Sequence, residues 1–141
     1  MSELGVDASV VQFIEGHRQG VLATLRFKGP PQQTLIAYHF DGTNFAISTR
    51  AATQKAKNLR RRPDASLAVI DGPAQCIVTG KIEVIDEPQR VYDLHRERIR
   101  QIALRAETDE QLVERLQREG RVILILRPAG FYPTTMNRPR P

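Results

Sequence analysis

Ser48, Thr49 and Lys55 are the residues of this 141-residue chain whose types and spacing best suit them to chemistry. They lie in the stretch Phe45-Ala-Ile-Ser-Thr-Arg-Ala-Ala-Thr-Gln-Lys-Ala-Lys-Asn-Leu-Arg-Arg-Arg-Pro63. A strand ends at Ser48-Thr49-Arg50 and a helix opens just after it. A helix N-terminus carries unpaired N–H groups and about half a positive charge. Hydroxyls and a lysine beside such a terminus make a phosphate cradle. Ser48 or Thr49 can donate to phosphate oxygens. Lys55, one turn into the helix, can add a charge-assisted bond of about 1.5–3 kcal/mol. Lys57 follows nearly opposite Lys55 on the helix, at about 100° per residue, so Lys55, Lys57 and Asn58 cannot all meet one phosphate. A short basic helix with a solvated surface is the competing reading of the same residues, and the stretch lacks a complete Walker loop.

The elements that must position this stretch can be read around it. Asp7 caps a short helix carrying Val10, Val11 and Ile14, and Gly16 stops it. Gly20–Phe27, Thr34–Phe40 and Asn44–Thr49 read as three strands joined by Lys28-Gly-Pro-Pro31 and by Asp41-Gly42, an antiparallel meander. The basic helix spans Ala52–Arg62 and ends at Pro63. Ala65–Ile70 and Gln75–Ile85 are the fourth and fifth strands, with Gly80 marking a bend or bulge. Glu87–Glu119 is helical and broken near Thr108, where Thr108 and Gln111 have the spacing of a capping box. Val122–Leu126 is the sixth strand, apolar throughout and therefore buried on both faces, by a central barrel position or by dimerisation. The proline-rich tail from Ala129 reads as neither regular structure. Six strands with inserted helices, and no crossover helices among the first three, give a mainly β, closed or partly closed antiparallel barrel.

The totals fit one domain over residues 1–141, large enough for a core without staples. No apolar run approaches the roughly 20 residues of a membrane span, and the first fifteen residues lack the pattern of a secretory signal. The cytoplasm is the expected compartment. Cys76 is the only cysteine and reads as a small strand residue rather than a nucleophile. His17, His39 and His95 are scattered, with no metal-ligand spacing among them. A net charge of +5 favours anionic partners. Nucleic acid is disfavoured, because aromatic residues make up only 6% and no RNP-like or helix-turn-helix pattern appears.

The ordered blocks Gly20-Val-Leu-Ala-Thr-Leu25, Ala37-Tyr-His-Phe-Asp41, Ile47-Ser-Thr49, Lys55-Ala-Lys-Asn-Leu-Arg-Arg-Arg-Pro63 and Ala65-Ser-Leu-Ala-Val69 resemble the pyridoxamine 5′-phosphate oxidase-like superfamily. The resemblance is strongest to its actinobacterial deazaflavin-dependent reductases and runs from about Val11 to Arg138. It implies a six-stranded split β-barrel of Greek-key type, homodimeric, with two cofactor sites at the dimer interface. It implies that Ser48 and Thr49 meet the phosphate side of the cofactor and that Lys55 ion-pairs with it, with Lys57 and Asn58 as neighbours. Tyr38 and His39 fall near the ring system or substrate. Strand alternation puts them on opposite faces, so at most one lines the site directly, and each could equally be core or interface. Tyr132 and Arg138 fall in a segment that closes over the partner's site, or in a frayed end.

The implied activity is hydride transfer from coenzyme F420 to an electron-poor unsaturated small molecule, such as an enone, quinone or tetrapyrrole. FMN is the alternative cofactor, and a non-catalytic carrier of either is the alternative role. The fuller arginine set and the C-terminal substrate motif of true pyridoxamine phosphate oxidases are not found. The resemblance therefore does not extend to oxidation of that substrate.

Overall fold

The structure, a computed structural model, describes residues 5–99 and 106–134. Among them are seven strands and four helices. In chain order these are α1 (Ala8–Glu15), β1 (Gln19–Thr24), β2 (Gln32–Ala37), β3 (His39–Phe40), β4 (Phe45–Arg50), α2 (Gln54–Arg61), β5 (Asp64–Asp71), β6 (Ala74–Ile85), α3 (Pro88–Leu94), α4 (Asp109–Glu119) and β7 (Arg121–Thr134). A π-helical turn, His95–Ile99, extends α3. None of the described helices is long and apolar enough to cross a membrane.

All seven strands form one antiparallel sheet in the order β2-β1-β5-β6-β7-β4-β3. Its outermost strands, β2 and β3, are separated in the chain by Tyr38 alone. The sheet must therefore curl until its two ends approach each other, which gives the barrel. The meander expected of the first three strands is corrected here. The stretch read as one second strand is broken at Tyr38, and its halves pair with different neighbours, β2 with β1 and β3 with β4. The break accounts for seven strands rather than six. Beyond Ala46, no described strand pairs with β4 on the β3 side.

The barrel interior is filled by Leu22, Ile36, Tyr38, Phe45, Ile47, Leu67, Val69, Cys76, Val78, Leu124 and Leu126. A second cluster lies outside the barrel wall, where Ala46, Ile123 and Ile125 meet Val91, Leu112 and Leu116 of α3 and α4. Residues 122–126 are thus buried on both faces within a single chain. This explains their continuous apolar run.

The local signals act as their chemistry dictates. Asp7 accepts from the Ser9 N–H, the Thr108–Gln111 capping box makes both of its bonds, and Gly120 closes α4 at φ 61°. Gly80 sits at the bulge between β6 and β7, where a Cβ would collide with the Arg127 carbonyl. The tail is a second correction, because β7 continues through Pro128 and Pro133 to Thr134. β4 pairs only with Arg121–Leu126, so the rest of β7 has β6 on one side and no described strand on the other. A proline tolerates such an edge, since it has no N–H to offer a neighbour.

Candidate functional site

Where β2 and β4 part beyond Tyr38, the barrel opens into a cleft of about 320 Å³. Its walls are Leu35, Ile36 and Ala37 of β2, Ser48 and Thr49 of β4, Lys55 of α2, Ile99 of the π turn and Arg121 of β7. The structure thus brings together Ser48, Thr49 and Lys55, which the sequence singles out. It adds Arg121, which the sequence reading missed.

Helix α2 carries Lys55 to the cleft, and its seat is built from polar contacts. Thr53 caps the helix, accepting from the Ala56 N–H and donating to the Arg50 carbonyl. Asn58 is fully buried. It donates to Thr24 Oγ1 at 3.1 Å and accepts from Gln54 Nε2 at 2.8 Å. Its side chain therefore binds α2 to β1 and does not line the cleft. Lys57 is exposed and lies outside the cleft. Arg60 pairs with Asp86 and Arg61 donates to the Leu25 carbonyl while lying over the Phe27 ring. The basic face of α2 is consequently narrower than its sequence suggests.

Lys55 is half-buried, and no described carboxylate lies within ion-pair distance of it. Desolvation, with a smaller contribution from the nearby Arg121 charge, lowers its pKa below the ordinary lysine value. Arg121 belongs to a network in which Arg50, Arg115 and Arg121 share Glu107 and Glu119. Arg121 Nε meets Glu119 at 2.7 Å, while Arg115 meets Glu107 at 2.9 Å and Glu119 at 3.5 Å. Three guanidinium groups on two carboxylates, plus a lysine with no described carboxylate beside it, leave this end of the cleft positive.

His95 is a second residue the sequence reading left unassigned. It is buried at 2% exposure behind Ser48, with Ser48 Oγ 2.7 Å from its Nε2. Its Nδ1 lies 2.8 Å from the Val91 carbonyl, which can only accept, so Nδ1 carries the proton. Desolvation is the main cause that lowers the His95 pKa, with Arg115 and Arg121 adding to it. The neutral ring therefore accepts the Ser48 hydroxyl proton. No sequence motif joins the two residues, which are 47 positions apart.

Tyr38 and His39 do not reach this cleft. Tyr38 is 2% exposed, donates to the Ile14 carbonyl at 2.7 Å and packs edge-on against Phe45. Burial raises its pKa well above the ordinary phenol value. His39 is half-buried and borders a separate hollow with His17 and Arg18. Tyr132 is exposed on β7, away from the cleft of its own chain. Arg138 lies outside the described residues.

Comparison with known proteins places this geometry. Rv2991, a conserved hypothetical protein of Mycobacterium tuberculosis, superposes with a TM-score of 0.73 at 26% identity, over 99% of this chain and 90% of the other. A protein described as an F420 reductase superposes with a TM-score of 0.65 at 23% identity, over 90% and 98%. A pyridoxamine 5′-phosphate oxidase-related, FMN-binding protein of Nostoc punctiforme gives 0.57 at 18%, over 81% and 72%. The last two likenesses, at these identities, establish a shared fold. The sequence profile of pyridoxamine 5′-phosphate oxidase matches residues 6–133, nearly the whole chain, and the chain therefore belongs to the pyridoxamine 5′-phosphate oxidase family.

Proposed function

We propose that this protein is a flavin-type oxidoreductase that seats the phosphate end of its cofactor at Lys55 and Arg121. Coenzyme F420 is the cofactor of choice and an electron-poor unsaturated small molecule the hydride acceptor. The observation that carries the reading is the positive mouth of the cleft, where Lys55 is desolvated beside Arg121 with no described carboxylate opposite it. An anion placed between the half-buried Lys55 and Arg121 would gain charge-assisted hydrogen bonds and favour the charged form of Lys55. The cleft is also of the size that small-ligand sites occupy, about 300–1,000 Å³. When bound, the cofactor supplies the hydride chemistry. Lys55 and Arg121 hold its anionic end, Leu35 and Ile99 offer apolar contact, and the Ser48 and Thr49 edge of β4 fixes its position.

The family and the shared fold with an F420 reductase support a deazaflavin, and the shared fold with an FMN-binding protein supports FMN as the alternative. Leu35 lines the cleft yet is 65% exposed. An apolar wall so open is completed by a second copy of the chain, with Tyr132 and Arg138 in the segment that would reach across. The expected compartment remains the cytoplasm. Parallel fluorescence titrations with F420 and with FMN test the reading. Binding of F420 that Lys55→Ala weakens at least tenfold supports it, preference for FMN moves the protein to the flavoenzyme branch, and binding of neither overturns it.

A further inference from the structure

Ser48 turns a lone pair, not a proton, toward the cleft. A serine hydroxyl has one proton and two acceptor lone pairs. The Val91 carbonyl fixes the His95 proton on Nδ1, so Nε2 can only accept, and it takes the Ser48 proton at 2.7 Å. Among the described residues Ser48 Oγ has no other hydrogen-bond partner, and Ser48 is half-buried in the cleft wall. Its remaining hydrogen-bonding capacity is therefore that of an acceptor. An anionic phosphate oxygen brought to it would meet another acceptor, and an N–H or O–H group would meet its complement.

The surroundings hold this arrangement in place. His95 opens the π turn that also carries Ile99 into the cleft wall. Single wide helical turns of this kind are frequent at functional sites. Arg98 in the same turn is anchored to Asp41 of the β3–β4 connection at 2.6 Å. The groups that reach the ring from its neighbours are the Ser48 hydroxyl of β4, the Val91 carbonyl of α3, Arg115 of α4, Arg121 of β7 and Glu107. Both arginines oppose a positive charge on the ring, and Glu107 favours one.

We infer that Ser48, oriented by His95, is a specificity-determining acceptor that receives a neutral donor of the ligand, a ring N–H or a sugar-chain hydroxyl. The anionic end is thereby left to Lys55 and Arg121. The assignment rests on the cofactor reading above and divides the cleft into a cationic end and a neutral accepting position. Ser48 is the contact, and His95 is the positioning residue.

The test compares phosphate-bearing with phosphate-free ligands, F420 against its phosphate-free deazaflavin riboside and FMN against riboflavin. Ser48→Ala is expected to weaken both members of the pair that binds by the same factor, about two- to tenfold. Lys55→Ala is expected to weaken only the phosphate-bearing member. His95→Phe should reproduce the Ser48→Ala loss, and His95→Gln, whose amide oxygen can accept the same proton, should restore affinity in part. Long-range ¹⁵N NMR of the unaltered protein should show His95 protonated on Nδ1 and bare on Nε2. A Ser48→Ala loss confined to the phosphate-bearing ligand, or a proton on Nε2 at neutral pH, overturns the assignment while leaving the cofactor reading standing. Failure of all four ligands to bind the unaltered protein overturns both.

Discussion

Asn58 Nδ2 donates to Thr24 Oγ1 at 3.1 Å, and both residues are completely buried. This bond joins α2 to β1 and so fixes where Lys55 enters the cleft. Buried polar groups of this kind are costly to leave unmatched. Asn58→Leu removes the donor to Thr24 Oγ1, leaving Thr24 only its own bond to Gln32 Oε1 at 3.3 Å, and removes the partner of Gln54, and should cost about 1–3 kcal/mol of stability in urea denaturation. It should also weaken anionic ligands, because the helix that carries Lys55 loses its anchor. Lys57→Ala, on the exposed face of α2, should change stability by less than about 0.5 kcal/mol.

His95 makes stability depend on pH. Its pKa in the fold lies below the ordinary value of 6.5, so the unfolded chain binds the extra proton more readily. The contribution is fully present above about pH 6.5 and is lost as pH falls from there through the folded-state value. The expected slope is at most about 1.4 kcal/mol per pH unit. Denaturant midpoints across pH 5–8 should show this fall, and His95→Gln should flatten it. A fall that persists unchanged in His95→Gln places its origin in other groups.

Lys55 makes ligand binding depend on pH in the opposite direction. Its lowered pKa means that the free protein begins to lose the Lys55 charge below the ordinary lysine range near 10.5. Affinity for a phosphate-bearing ligand should therefore fall as pH rises toward that range. The bound anion favours the charged form, so binding should take up a fraction of a proton there. Calorimetry in buffers of different ionisation heat measures that uptake. Lys55→Arg, charged throughout, should keep its affinity at the alkaline end.

Tyr38 tests the separation of core from site. Its hydroxyl reaches the Ile14 carbonyl and not the cleft. Tyr38→Phe should cost about 1 kcal/mol in stability, with cofactor affinity unchanged once folding is accounted for. A loss of affinity at unchanged stability would place Tyr38 in contact with the ligand after all.

That Ser48, Thr49 and Lys55 share one cleft is legible in the sequence because strand end, helix start and lysine lie within eight consecutive residues. The caps, turns and the Gly80 bulge were legible for the same local reason. Arg121 and His95 are not, because only the pairing of β4 with β7 brings Arg121 into the cleft and only the return of α3 over β4 brings His95 to Ser48. Tyr38 was ambiguous for a different reason. Alternation gives a strand residue's face, but not that the strand is broken at that residue and its halves divided between two partners. The strand through Pro128 and Pro133 is not legible, because proline disfavours a strand except at an edge, and only the pairing pattern shows that β7 there has one open edge. The role of Asn58 was hidden because a helical position three residues from Lys55 shows nothing of Thr24, which lies across the barrel wall.

Whether Lys55 holds the anionic end of a deazaflavin is decided by the affinity of the purified, unaltered chain for coenzyme F420, measured by fluorescence beside Lys55→Ala at matched folded fraction. Saturable binding that Lys55→Ala weakens at least tenfold is expected, equivalent to about 1.4 kcal/mol or more of charge-assisted contact. Equal binding by the two proteins, or no binding of F420 or FMN by either, would contradict it.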